Sequence, residues 1–234
     1  LMYVYMGHMK FENTKPYEDG FWKKNKIELV RDHVEKIQCS AKKLFLKSGN
    51  TITYDQLVIA SGSRPNKFGW PGQDLSGVQG LYSFGDLQQM EVNTRGIQQA
   101  VVVGGGLIGV EVAEMLLSRN IAVTFLVRES SFWNNVLPHQ EADLITRHIR
   151  SHHVNLKLQT ELKEIQGNKE GRVEAVRASD GEIIPCQFVA LTVGVSPIID
   201  FLKDSDIATK RGILVNEFLQ TNISDVYAIG DCVE

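Results

Sequence analysis

The residues Gly104, Gly105, Gly106, Leu107, Ile108 and Gly109 carry the densest chemical signal in the sequence. They follow an apolar run at 100–103 and open a stretch, 107–120, whose apolar residues recur at helical spacing before a second apolar run at 121–127. A G-x-G-x-x-G turn set between a strand and a helix, with another strand after it, suits a dinucleotide. Gly104 would permit the tight turn, Gly106 would let a pyrophosphate approach the backbone, and Gly109 would let the helix pack close to the strand. The phosphates would then meet unpaired N–H groups at the positive end of the helix dipole.

The identity of the dinucleotide rests on the end of the second strand, "VTFLVRES". An acid there accepts from the adenosine ribose hydroxyls and favours NAD, whereas an arginine suits the 2′-phosphate of NADP. Val127 holds the expected acid position, Arg128 follows and Glu129 comes next. The balance leans slightly to NADPH, with two alternatives open: Glu129 turning to the ribose, and Arg128 being a solvated surface charge. Glu111, two residues past Gly109, has two readings of equal weight, a dipole-compensating first-turn acid or a group near the nicotinamide.

Composition narrows the class. Hydrophobic residues make up 43% and charged residues 23% of the 234, an ordinary globular balance. Net charge is −3 with a pI near 6.1, and the basic residues are scattered, so no footprint for nucleic acid appears. Cys39, Cys186 and Cys232 lie far apart without metal-ligand spacing and read as reduced thiols of a cytoplasmic protein. The opening "LMYVYMGHMK" is too short and interrupted for a signal or membrane segment, and its start on Leu1 leads one to expect residues before it. His148 and His152 stand four apart on a helix but have no third ligand nearby, so a surface role is expected. Trp22, Trp70 and Trp133 read as packing or loop anchors, with "WNN" at 133–135 a weaker candidate for closing the nucleotide pocket. No G-x-S-x-G or H-E-x-x-H occurs, so hydrolase chemistry has no support.

The surrounding elements are legible in outline. Short β-like runs at 27–30, 33–38 and 43–54, the last with a Gly49-Asn50 turn, feed an apolar strand at 56–62. Glycines and two prolines at 65–80 indicate an excursion, and 84–96 looks helical. After the second strand of the nucleotide unit, Pro138 is expected in the first turn of another helix, followed by a strand at 154–159 and a β meander that returns to the sheet by 194. The final strand runs into Gly230 and Asp231, the type of strand end at which a parallel α/β sheet meets its ligand.

Four stretches together resemble a known family. They are "YDQLVIASGSRP", "VVVGGGLIGVEVAEML", "LTVGVSPI" and "GILVNEFLQTNISDVYAIGDC", in that order over nearly the whole chain. They resemble the FAD-dependent pyridine nucleotide-disulfide oxidoreductase superfamily, in its branch of NADH oxidase-like, rubredoxin reductase-like and nitrite reductase flavoprotein-like enzymes. The fold implied is α/β: a Rossmann-like NAD(P) domain with a β meander, at 93–211, inserted into a partial FAD-binding domain made of 1–92 and a returning segment, 212–234. By the same resemblance Asp231 would bond the ribityl or phosphate part of FAD, with Gly230 allowing close approach. Ala60, Ser61 and Gly62 would lie along the FAD, Arg64 would touch it, the backbone at Val34 would approach the adenine, and Gly194 would belong to a cofactor loop.

The activity implied is hydride transfer from NAD(P)H to FAD and onward electron transfer, with no side chain required as acid or base and none assigned as catalytic. The acceptor, a small molecule or small redox protein, is not named by these residues. The resemblance also leaves room for a homodimer of the full-length form. Family members carry a first G-x-G-x-x-G unit for FAD and a C-terminal interface domain, and neither has a counterpart between Leu1 and Glu234. The competing expectation is an NAD(P)-binding fragment without flavin or turnover.

Overall fold

A computed structural model describes residues 1–134 and 136–234. In chain order the elements are α1 (Met2–Tyr5), α2 (Phe21–Lys24), β1 (Val34–Gln38), β2 (Lys43–Leu46), β3 (Thr51–Thr53), β4 (Leu57–Ile59), β5 (Ser63–Pro65), β6 (Val78–Gln79), α3 (Phe84–Asn93), β7 (Gln99–Val103), α4 (Leu107–Leu117), β8 (Ala122–Leu126), α5 (His139–Ser151), β9 (Asn155–Lys157), β10 (Leu162–Gly167), β11 (Val173–Ala178), β12 (Ile183–Pro185), β13 (Phe188–Leu191), β14 (Val195–Pro197) and β15 (Val226–Ala228). They form two compact units, one of Leu1–Thr14 with Pro65–Gly194, the other of Lys15–Arg64 with Val195–Glu234. These breaks in compactness fall elsewhere than the cofactor-based boundaries at 92/93 and 211/212.

The first unit is built on a parallel sheet of strand order β6-β13-β7-β8-β9. β7 is buried on both faces, as a central parallel strand must be: Val102 enters the core shared with α3, α4 and α5, and Val101 and Val103 enter the core shared with the meander. That meander is the antiparallel sheet β10-β11-β12. α3 begins with a reciprocal cap in which Ser83 Oγ accepts from the Asp86 N–H and the Asp86 carboxylate accepts from the Ser83 N–H. Pro138 is not inside α5: at φ −54, ψ 150 it is the extended residue before His139. The proline ring fixes φ but not ψ, so the helix starts one residue later.

The N-terminal segment was not legible as a helix, yet α1 packs Tyr5 into the same core as α4. Arg119 lies 3.5 Å above the Tyr5 ring and donates to the Tyr5 carbonyl and to both oxygens of Glu91.

The second unit holds the antiparallel sheet β1-β2-β3 and the parallel pair β4 and β15 around a core that includes Ile37, Ile59, Ile213 and Val226. The run 27–30, expected as β, forms no strand; Ile27, Leu29 and Val30 are exposed, and no ladder partner lies beside them among the described residues. β propensity describes fit to a half-buried pleated surface, and without a neighbouring strand it has nothing to act on.

Candidate functional site

The first unit carries a cleft of about 500 Å³ at the carboxyl end of its parallel sheet. Its lining includes Gly104, Gly105, Gly106, Arg128, Glu129, Thr192 and Gly194. The end of β7 turns at Gly104, whose φ of +107 is a conformation side-chain-bearing residues avoid. A Cβ at Gly104 would also lie 2.6 Å from the Thr192 carbonyl oxygen. At Gly109 a Cβ would meet the Gly104 carbonyl oxygen at 2.5 Å and the Phe125 ring at 2.7 Å, so this glycine sets how closely α4 approaches the sheet.

Gly106 differs from both. It is the N-cap of α4, no side chain caps that helix, and a Cβ added there would meet nothing within 4 Å. The first turn of a helix offers N–H groups without intrahelical partners, and here they open beside a glycine with free space around it. This cradle fits a pyrophosphate by both shape and charge.

At the end of β8, Val127 is fully buried, so it cannot present a side chain to the cleft. Arg128 and Glu129 do line it, and they are bonded to each other, Arg128 Nε donating to Glu129 Oε1 at 2.9 Å. That bond holds the Arg128 guanidinium above its ordinary pKa. Arg128 is otherwise open to solvent, with its side chain 75% exposed against 26% for Glu129. Gly194, at φ +88, closes the opposite side, and the Thr192 hydroxyl ties that side to the glycine turn by donating to the carbonyls of Val103 and Gly104.

Leu107, Ile108, Gly109 and Glu111 stand on the first turns of α4 outside the cleft lining, with Leu107 and Glu111 exposed. Phe68, Trp70, Glu161 and Leu162 line the cleft without having been singled out as site residues. Trp133 lines it too, whereas Asn135 of the "WNN" stretch lies outside the described residues. The rings of His148 and His152 lie 4.4 Å apart, tilted by 55°, beside a smaller apolar pocket of about 210 Å³, and among the described residues no group of three metal-ligating side chains occurs.

In the second unit β4 and β15 pair in register, Ile59 beside Ala228, so their carboxyl ends emerge together. One end continues as Ala60, Ser61, Gly62 and Arg64, the other as Gly230 and Asp231. Gly62 and Gly230 both take positive φ, +67 and +75, and a Cβ at Gly230 would meet nothing within 4 Å. The two loops are tied by Ser63 Oγ donating to the Asp231 carbonyl at 3.0 Å. Ser61 Oγ donates to the Ile198 carbonyl at 2.7 Å. Arg64 pairs with Asp200, and that contact holds the Asp200 carboxyl below the usual range. Exposed Ala60, Gly230 and Asp231 thus share one edge, where the backbone is accessible and a carboxylate is at hand, a setting that fits a hydroxyl-bearing ligand such as FAD. Val34 stands on β1 opposite Leu46 and packs on the core that contains Ile59 and Ala228.

Comparison with known proteins agrees with this geometry. The family described as pyridine nucleotide-disulphide oxidoreductase matches residues 8–234. NADH-rubredoxin oxidoreductase of Clostridium acetobutylicum is 31% identical over 218 residues, covering 93% of this chain and 53% of its own length. Nitrite reductase [NAD(P)H] of Bacillus subtilis is 30% identical over 215 residues, 92% of this chain and 26% of that protein. The crystal structure of the ferredoxin reductase for the CYP199A2 system from Rhodopseudomonas palustris superposes with a TM-score of 0.91 at 26% identity, covering 98% of this chain and 57% of that one. The chain therefore spans from about a quarter to just over half the length of these relatives. A parallel sheet opening at a glycine turn, a second strand pair ending on Gly62 and Asp231, and a family match over nearly every residue lead to one conclusion: the chain belongs to the pyridine nucleotide-disulphide oxidoreductase family.

Proposed function

We propose that this chain is the nucleotide-handling part of a flavoprotein oxidoreductase that takes a hydride from NAD(P)H to FAD and passes electrons to a small redox protein. The observation that carries the reading is the uncapped N-terminus of α4 at Gly106, open to a cleft large enough for a nucleotide. In this reading the backbone of Gly104, Gly105 and Gly106 holds the pyrophosphate, with Leu107, Ile108 and Gly109 supplying N–H groups of the first turn and the packing behind it. Arg128 and Glu129 meet the adenosine ribose, Gly194 bounds the nicotinamide side, and Glu111 acts on the α4 dipole. Bound FAD supplies the hydride-accepting ring, so no side chain of this chain need move a proton.

The flavin's ribityl or phosphate part would lie along Ala60, Ser61, Gly62 and Gly230, with the Asp231 carboxylate accepting from it. Arg64 would approach it only by exchanging its present partner Asp200, and Val34 would serve through its backbone. Relatives named for rubredoxin and ferredoxin support a small protein as acceptor. Three free cysteines support a cytoplasmic setting, and a homodimeric full-length form belongs to the same reading. Among the described residues no helix is long and apolar enough to cross a membrane.

The test is the visible spectrum of the purified chain with added FAD, followed anaerobically by NADH or NADPH. Retained flavin that bleaches on reduction is the expected result. Colourless protein that still binds NAD(P)H would replace this reading with a nucleotide-binding module without turnover.

A further inference from the structure

The excursion between β5 and β6 carries an aromatic pair that the proposed chemistry does not use. Phe68 is 65% exposed, and its ring meets Trp70 edge-on at 5.5 Å and 83°. A single exposed phenylalanine is unremarkable by itself. This one, however, is on the wall of the same cleft as Gly106 and Glu129.

The loop that presents it is also locked. Lys67 pairs with Asp74 at 2.6 Å, and Gln73 accepts from the Gly69 N–H at 2.9 Å while its own N–H donates to the Trp70 carbonyl at 3.0 Å. The Ile165 N–H donates to the Pro71 carbonyl at 2.8 Å, and Gly72 sits so close to that strand that a Cβ would fall 1.9 Å from the Ile165 carbonyl oxygen. Trp70 packs on the core that contains Leu162 and Ile165. The ring of Phe68 is thus held out into a nucleotide-sized cleft by a rigid base, an arrangement whose cost in exposed apolar surface a flat ligand would offset.

Direction within the cleft follows from the sheet. A dinucleotide on this turn runs its adenosine half past the end of β8 toward β9, where Glu129, Glu161 and Leu162 line the wall, and its nicotinamide half toward Thr192 and Gly194. Trp70 precedes Pro71 and Gly72, which meet Ile165 of β10, three residues beyond Leu162, whereas Asn66 at the other end of the loop donates to the Gly194 carbonyl. We propose that Phe68, braced by Trp70, is the base-stacking residue for the adenine of the bound dinucleotide. Stacking is sequence-tolerant because every base has a π-face, so Phe68 would strengthen NADH and NADPH alike and leave the choice between them to the ribose end.

The proposal rests on the reading of the cleft as the NAD(P) site, and the experiment separates the two. Dissociation constants for NADH and for ADP-ribose are measured on the 234-residue chain and its Phe68→Ala, Phe68→Leu and Phe68→Trp variants, with melting temperature as the folding control. Phe68→Ala and Phe68→Leu are expected to weaken both ligands by the same factor, about 10-fold, while Phe68→Trp retains wild-type affinity for both. Loss of NADH affinity with ADP-ribose unchanged would place Phe68 at the nicotinamide end and overturn the proposal. Full affinity in Phe68→Leu would overturn it as well, because shape rather than stacking would then suffice. Failure of the wild-type chain to bind either ligand would instead remove the NAD(P) reading on which it stands.

Discussion

Arg128 and Glu129 neutralise one another at the rim of the cleft beside the glycine turn, through a 2.9 Å bond between adjacent side chains. Arginine at this point favours a 2′-phosphate only if its charge is available, and here a carboxylate already shares it. A dianionic 2′-phosphate would also have to approach Glu129 and, nearby, Glu161. Glu129→Gln is therefore expected to shift preference toward NADPH by about 1.5- to 5-fold, a size set by partly exposed charges. Arg128→Asp is expected to shift it toward NADH. The ratio of dissociation constants for the two cofactors decides the matter, and a ratio unmoved by both substitutions would take the pair out of the ribose site.

The glycines of the turn divide by mechanism. Gly109→Ala forces a methyl against the Gly104 carbonyl and the Phe125 ring, and overpacking of this type costs roughly 1–3 kcal/mol. Gly106→Val has room for its side chain, so the fold should survive while the pyrophosphate is excluded. Thermal melts with NADH titrations of the two variants should show a lowered melting temperature for the first, and a near-native melt without binding for the second. Native affinity in Gly106→Val would remove the turn from the binding site.

The legible parts of this molecule were those whose constraints are local. Gly104 needs positive φ, Gly106 sits where a strand meets a helix, and the unbroken hydrophobic run of β7 follows from burial on two faces, so each could be read from a few neighbouring residues. Phe68 could not, because its position depends on Pro71 meeting Ile165, a contact between segments far apart in the chain. The Arg128–Glu129 bond was hidden for another reason. Adjacent residues within a strand point to opposite faces, and these two meet only because β8 has already ended at Leu126. The run 27–30 failed in the reverse direction, having strand-forming residues but no strand beside them.

The N-terminal segment should be held by one side chain. Arg119 bonds both oxygens of Glu91, donates to the Tyr5 carbonyl and covers the Tyr5 ring, while the Tyr5 hydroxyl bonds Thr94 at 2.7 Å. A charged hydrogen bond contributes about 1.5–3 kcal/mol when buried. With Glu91 still 38% exposed, solvent screening lowers the expected cost of Arg119→Ala to about 1–2 kcal/mol, or roughly 2–8 °C in melting temperature. Limited proteolysis should then cut first within residues 6–14. An unchanged melt and digestion pattern would show that hydrophobic packing of Tyr5 alone anchors the segment.

Thiol reactivity should rank the three cysteines. Burial pushes the Cys186 thiol up to about 12, so at pH 8 almost none of it is thiolate, the reactive form. Cys232 is fully buried, with its Sγ 3.2 Å from the Ile229 carbonyl oxygen. Cys39 is only partly buried, though burial raises its pKa as well. Native protein at pH 8 is expected to consume an aromatic disulfide reagent slowly at Cys39 and scarcely at the other two, with all three reacting promptly in denaturant. Raising the pH toward 9 should accelerate Cys39 well before Cys186. Prompt modification of Cys186 in native protein would mean that the β12–β13 segment opens on the time scale of the assay, and that the meander is less firmly packed on the parallel sheet than its buried valines imply.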